Sequence, residues 1–120
     1  MTSGVRYLPA LGVMVTIFIA SHIPGDKLHP PSLLGYDKFW HALEYAVLAL
    51  TLLYAGKKKP SSRQNIFILF FCVAYGISDE IHQLFIPLRD ASILDVWADS
   101  VGALLAICGW NFYHRRRRCP

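Results

Sequence analysis

Three stripes of polar side chains in this 120-residue chain have the types and spacing for proton or anion chemistry. Asp37, His41 and then Glu44 or Tyr45 follow at steps that set them on one face of a helix. Asp79, His82 and Gln83 are neighbours across a single turn, with Glu80 beside Gln83. Asp95, Asp99 and Gly102 make the third stripe, and a glycine there lets another helix approach closely. Within such a set Glu80 would be the general acid or base, with His41 as its proton partner. Arg89 and Lys38 would hold a phosphate or carboxylate, the guanidinium by a bidentate fork. Gln83 would position the bound group, and Asp37, Asp79, Asp95, Asp99 and Tyr45 would line the same site.

The same residues have plainer uses. Asp37 can cap the helix that follows it, and Ser92 with Asp95 three residues later reads as a capping box. Lys38 and Arg89 can be ion-pair partners, Tyr45 can be packing, and Asp79 can pair along its own helix. Glu80 resists such an account, because no capping pattern explains it and an ionisable residue inside a membrane span marks a functional site. Neither Ser78 nor Ser92 has an evident base, so no nucleophile is assigned. Histidines with carboxylates suit zinc or manganese, yet the spacing matches no recognised ligand motif, and no metal ligands are assigned.

The composition says what must carry these groups. The chain is 54% hydrophobic and only 17% charged, against about 25% charged in a soluble domain. That excludes an ordinary soluble enzyme and a disordered chain, and predicts an all-α membrane protein in one domain. Four apolar stretches, about 7–23, 38–55, 66–85 and 93–113, each approach the roughly 30 Å that a spanning helix must cross. Pro, Gly, Ser and Lys clusters separate them. The first stretch also has the layout of a signal peptide, though without a clear small-x-small cleavage site.

Nine of the twelve basic residues (Arg6, Lys57, Lys58, Lys59, Arg63 and Arg115 to Arg118) fall on one side of a four-helix path. The positive-inside rule then puts both termini and the middle loop in the cytoplasm. The arginine tail reads as a topology anchor against anionic lipid, not as a nucleic-acid patch. Trp40, Trp97, Trp110 and Tyr113 sit near helix ends, as an interfacial aromatic belt does. With that path all eight carboxylates lie toward the outer side. Carboxylates at membrane depth must face protein or water, so the three stripes are expected to converge on an outward-opening cavity.

Asp37-Lys38-Phe39-Trp40-His41 with Glu44-Tyr45, and the long run from Ser78-Asp79-Glu80 through Gln83, Phe85 and Pro87 to Arg89, then Ser92, Asp95 and Gly102, resemble the two signatures of the VanZ-like family of small bacterial membrane proteins. The likeness covers the second to fourth stretches, about residues 36 to 106. It implies a role at the cell envelope of a bacterial cytoplasmic membrane, linked to reduced sensitivity to the glycopeptide teicoplanin. Relatives are expected to carry Asn where this chain has Asp99, so a charge there would not be a general requirement. Three functions follow as expectations. One is binding or modification of a lipid-linked cell-wall precursor, with membrane lipids as partners. Another is a proton- or ion-coupled carrier, for which a homo-oligomer would have to build the route. The last is a non-catalytic binding or assembly module.

Overall fold

The computed structural model describes residues 3–24, 34–56 and 59–117, with the side chains of residues 3 and 34–36 left aside. Asp26, Lys27, His29, Lys57, Lys58, Arg118 and Cys119, with the turn sequence at 29–32, lie outside the described residues. A 3₁₀ turn at Ser3–Tyr7 leads into α1 (Leu8–Ser21), followed by α2 (Leu34–Ala55), α3 (Ser62–Gln83) and α4 (Ile93–Arg116). No strand occurs among the described residues.

Local chemistry explains where each helix starts. Pro9 sits in the first turn of α1, where a missing N–H costs nothing. α2 begins four residues before the apolar pattern does, which places Asp37 inside its first turn. A carboxylate there complements the positive end of the helix dipole. α3 also starts before its apolar stretch, because Ser61 Oγ accepts from the Gln64 N–H at 3.2 Å and caps a polar first turn. Ser92 caps α4 in the same way through the Leu94 N–H, at 3.2 Å. Between α3 and α4 the chain turns through Leu88, a non-glycine residue held in the left-handed region at φ 60°.

Paired contacts fix the helix directions. Lys38 meets Asp95, His41 meets Asp99, and Ala42 lies against Gly102, so α2 and α4 run parallel. Ser92 meets Glu80 and Asp99 meets Gly76, so α3 runs against α4. Met14 meets Tyr75 and Phe18 meets His82, so α1 runs with α3. The result is an up-down-up-down bundle with α2 packed against every other element and most extensively against α4. A β-carbon on Gly102 would fall 1.9 Å from the Ala42 carbonyl oxygen, so the two backbones touch. The expectation that Gly102 permits a close helix approach holds.

Tyr45, Leu48, Ala49, Leu53, Ile68, Cys72, Ala103 and Ile107 fill the middle of the bundle. The outside is apolar too: Phe67, Phe70, Phe85, Trp97 and Leu105 are each about two-thirds exposed or more. A protein in water does not present such a surface, whereas hydrocarbon solvates it. Residues 4–21 and helices α3 and α4 are long and apolar enough to cross a membrane. Four such spans were expected. α2 matches α3 in length, but its first half carries Asp37, Lys38, His41 and Glu44. The chain is a membrane protein in which α2 and α4 form the main packing seam.

Candidate functional site

Every described carboxylate lies toward one end of the bundle, where α1 and α3 finish and α2 and α4 begin. Lys38, in the second turn of α2, pairs with Asp95 on α4 and lies 3.7 Å from Asp37. One turn further along, His41 is held between two α4 carboxylates. Its Nδ1 is 3.0 Å from Asp99 Oδ1, and its Nε2 is 3.9 Å from Asp95 Oδ2. This works because i and i+4 on α4 face i and i+3 on α2 while Gly102 keeps the helices close. Asp99 is fully buried, and its second oxygen, Oδ2, has no hydrogen-bond partner. That oxygen presses on Gly76 of α3, where a β-carbon would come within 2.8 Å of it.

Glu80 completes the cluster from α3. Its Oε2 accepts the backbone N–H of Ser92 at 2.8 Å, and its Oε1 is buried without a partner. The Ser92 N–H is the donor that a capping box would satisfy from Asp95. Here Glu80 takes it across the loop, freeing Asp95 for Lys38 and His41. So a cap does account for one oxygen of Glu80, contrary to the reading from sequence, and leaves the other available. Asp79 accepts from Gln83 Nε2 at 3.3 Å along their own helix, and both are buried. Tyr45 is fully buried with an unpartnered hydroxyl, its ring 6.2 Å from that of Tyr75.

Arg89 was expected to hold a phosphate or carboxylate. Instead its Nε donates to the Ile23 carbonyl at 3.1 Å and its Nη2 to the Ala20 carbonyl at 3.0 Å. It closes the C-terminal end of α1, where free carbonyls need donors. Asp37 is largely exposed and, among the described residues, pairs with Lys38. His82 stacks on Phe18 at 4.6 Å, and its Nε2 is 3.3 Å from Nδ1 of His22. His22 and Gly76 are not singled out by the sequence. The polar Ser21-His22 pair closing an apolar run was the available signal for the first. The four-residue step from Gly76 to Glu80 on one helix face was the signal for the second.

The described polar side chains converge mostly upon each other. The space beside them is an apolar groove of about 660 Å³ between α3 and α4, walled by Ile77, Ile81, Leu84, Ile93, Val96 and Trp97. Glu80 and Ser92 stand in its wall. Two trios can each bring three metal-ligating atoms within 4.8 Å of one another: Asp37, His41 and Asp95, and His41, Glu80 and Asp99. Chemically the cluster offers a histidine flanked by carboxylates, a half-free buried glutamate and a slot shaped for hydrocarbon.

The family model described as VanZ/LLP1 matches residues 7–114, from the turn before α1 to the last turns of α4. No curated protein and no solved structure matches the chain.

Proposed function

The chain belongs to the VanZ/LLP1 family, and from that premise we propose that it binds, and by acid–base chemistry modifies, a lipid-linked precursor of the bacterial cell envelope at the outer face of the cytoplasmic membrane. The observation that carries this reading is the apolar groove with Glu80 and Ser92 in its wall. A lipid tail lying between α3 and α4 would leave its headgroup at Glu80 and Ser92. Glu80 Oε1, unpartnered and buried, is then placed to take or give a proton. His41 passes the proton on within the Asp95–Asp99 clamp. Lys38 stands beside that clamp as the cation. With Arg89 engaged at α1 and Lys38 held by Asp95 and Asp37, a phosphate or carboxylate would be recognised by displacing the exposed Asp37 from Lys38, together with backbone donors. Reduced sensitivity to teicoplanin would be a consequence, since a glycopeptide meets the precursors displayed outside.

The carrier reading has less support. Between the polar end and the basic end the buried residues are Tyr45, Leu48, Ala49, Leu53, Ile68, Cys72, Ala103 and Ile107, with no polar chain linking them. A proton relay across the bundle needs one.

A photoreactive isoprenoid diphosphate added to purified protein tests the proposal. Crosslinks should concentrate on Ile81, Val96 and Trp97, and Ser100→Phe, which fills the groove, should lower labelling about tenfold, equivalent to ~1.4 kcal/mol of binding. Labelling spread evenly over outward residues such as Phe67 and Phe70 removes the groove from the argument. Glu80→Gln should keep labelling and membrane abundance while losing the cellular phenotype. A fully active variant would remove the acid–base role.

A further inference from the structure

We propose that His41, Glu80 and Asp99 form a binding site for one divalent transition-metal ion, zinc or manganese, where α2, α3 and α4 meet. The inference goes beyond the lipid reading and does not depend on it; an ion held here would make Glu80 and His41 its ligands in place of the proton roles given above. Each helix contributes one residue, all three are buried, and a donor atom from each lies within 4.8 Å of the others. The independent sign is that two of the three carry an orphan. Glu80 Oε1 and Asp99 Oδ2 are buried carboxylate oxygens without a hydrogen-bond partner, in residues 6% and 0% exposed. Buried carboxylates left like this are costly, more so where the surroundings are hydrocarbon.

The described cations nearby are committed elsewhere: Lys38 to Asp95 and Asp37, and Arg89 to the α1 carbonyls. Two carboxylates and one imidazole match the charge and donor preference of such an ion. Three protein donors also leave a coordination position for water or a substrate oxygen. The second trio, Asp37, His41 and Asp95, is the poorer host, because the Lys38 ammonium already sits against both of its carboxylates. Gly76 lets the Asp99 carboxylate pack against α3, since a β-carbon there would come within 2.8 Å of Oδ2. The Ser92 N–H on Glu80 Oε2 holds that ligand as an outer-shell partner does elsewhere.

The test titrates metal-free protein in detergent with Mn²⁺ alone and Zn²⁺ alone, and records the imidazole nitrogen coupling of bound Mn²⁺ by electron spin echo. One ion per chain is expected, coupled to a single imidazole, with the coupling lost in His41→Ala. Glu80→Gln and Asp99→Asn should each weaken binding by at least about tenfold, and Asp37→Asn should leave it unchanged. Circular dichroism and gel filtration check that each variant folds; if one does not, wild-type stoichiometry and nitrogen coupling decide alone. Absence of stoichiometric binding overturns the site, as does an ion bound without imidazole. Loss of binding in Asp37→Asn with none in Glu80→Gln would move the ion to the other trio and equally overturn it. Coupling to two imidazoles that disappears in His82→Ala would place the ion at the His22–His82 pair and reject the proposal.

Discussion

At Arg89 a guanidinium has two uses for the same fork. Its Nε and Nη2 reach the carbonyls of Ile23 and Ala20, tying the loop after α3 to the end of α1. A lysine keeps the charge and loses the two-point geometry. Arg89→Lys should therefore loosen the end of α1 by about 1 kcal/mol, seen as faster amide hydrogen exchange at residues 18–23, with isoprenoid labelling unchanged. Reduced labelling with unaltered exchange would return Arg89 to anion recognition. The contrast with Glu80 shows how far single residues were legible. The sequence marks Glu80 as out of place in an apolar run, and the structure keeps it at the centre of the cluster. What the sequence does not carry is partnership across helices: that Ser92 would give its N–H to Glu80, that Asp95 would thereby be freed for Lys38, and that Arg89 would turn back to α1. Spacing rules read neighbours along one helix, as with Asp79 and Gln83, and are blind to neighbours supplied by packing.

Among the elements, the α2–α4 seam decides whether the cluster exists. His41 reaches both Asp95 and Asp99 only because the helices touch at Ala42 and Gly102. Gly102→Ala places a methyl 1.9 Å from a backbone oxygen that cannot swing aside. The helices must part, at a cost of about 1–3 kcal/mol or more, and the thermal midpoint in detergent should fall accordingly. Gly109→Ala on the same helix is the control, since nothing lies within 4 Å of its added carbon. It should raise stability by about 0.5–1 kcal/mol through helix propensity alone. If both variants behave alike, the close seam is not what holds α2 to α4. That four helices exist, and roughly where, follows from the apolar runs. Their first turns were hidden because capping and dipole chemistry favours polar residues, so Asp37 and the 62–65 turn look like loop to a reading based on hydrophobicity.

For the whole molecule, charge and burial are sorted along different axes. Across the bundle, polar side chains such as His41, Glu80 and Asp99 are buried inward while phenylalanines and leucines face outward. Along it, Arg6, Lys59, Arg63 and Arg115 to Arg117 gather at one end, and the described carboxylates lie toward the other. A bundle with its first and third helices parallel must put the 3₁₀ turn, the α2–α3 connection and the end of α4 at the same end. A site built from Glu80 and His41 can meet an exported lipid precursor only if that basic end is cytoplasmic, as the positive-inside rule requires. Single cysteines replacing Asp90, in the exposed loop after α3, and Lys59, at the far end, can be probed with a membrane-impermeant maleimide in a chain whose own cysteines are serine. Asp90→Cys should label in intact cells and Lys59→Cys only after permeabilisation. The reverse pattern would face the groove and its glutamate to the cytoplasm, and any substrate would then have to be a precursor not yet exported. Labelling of both positions in intact cells would mean two orientations coexist, in which case the basic end does not fix the topology.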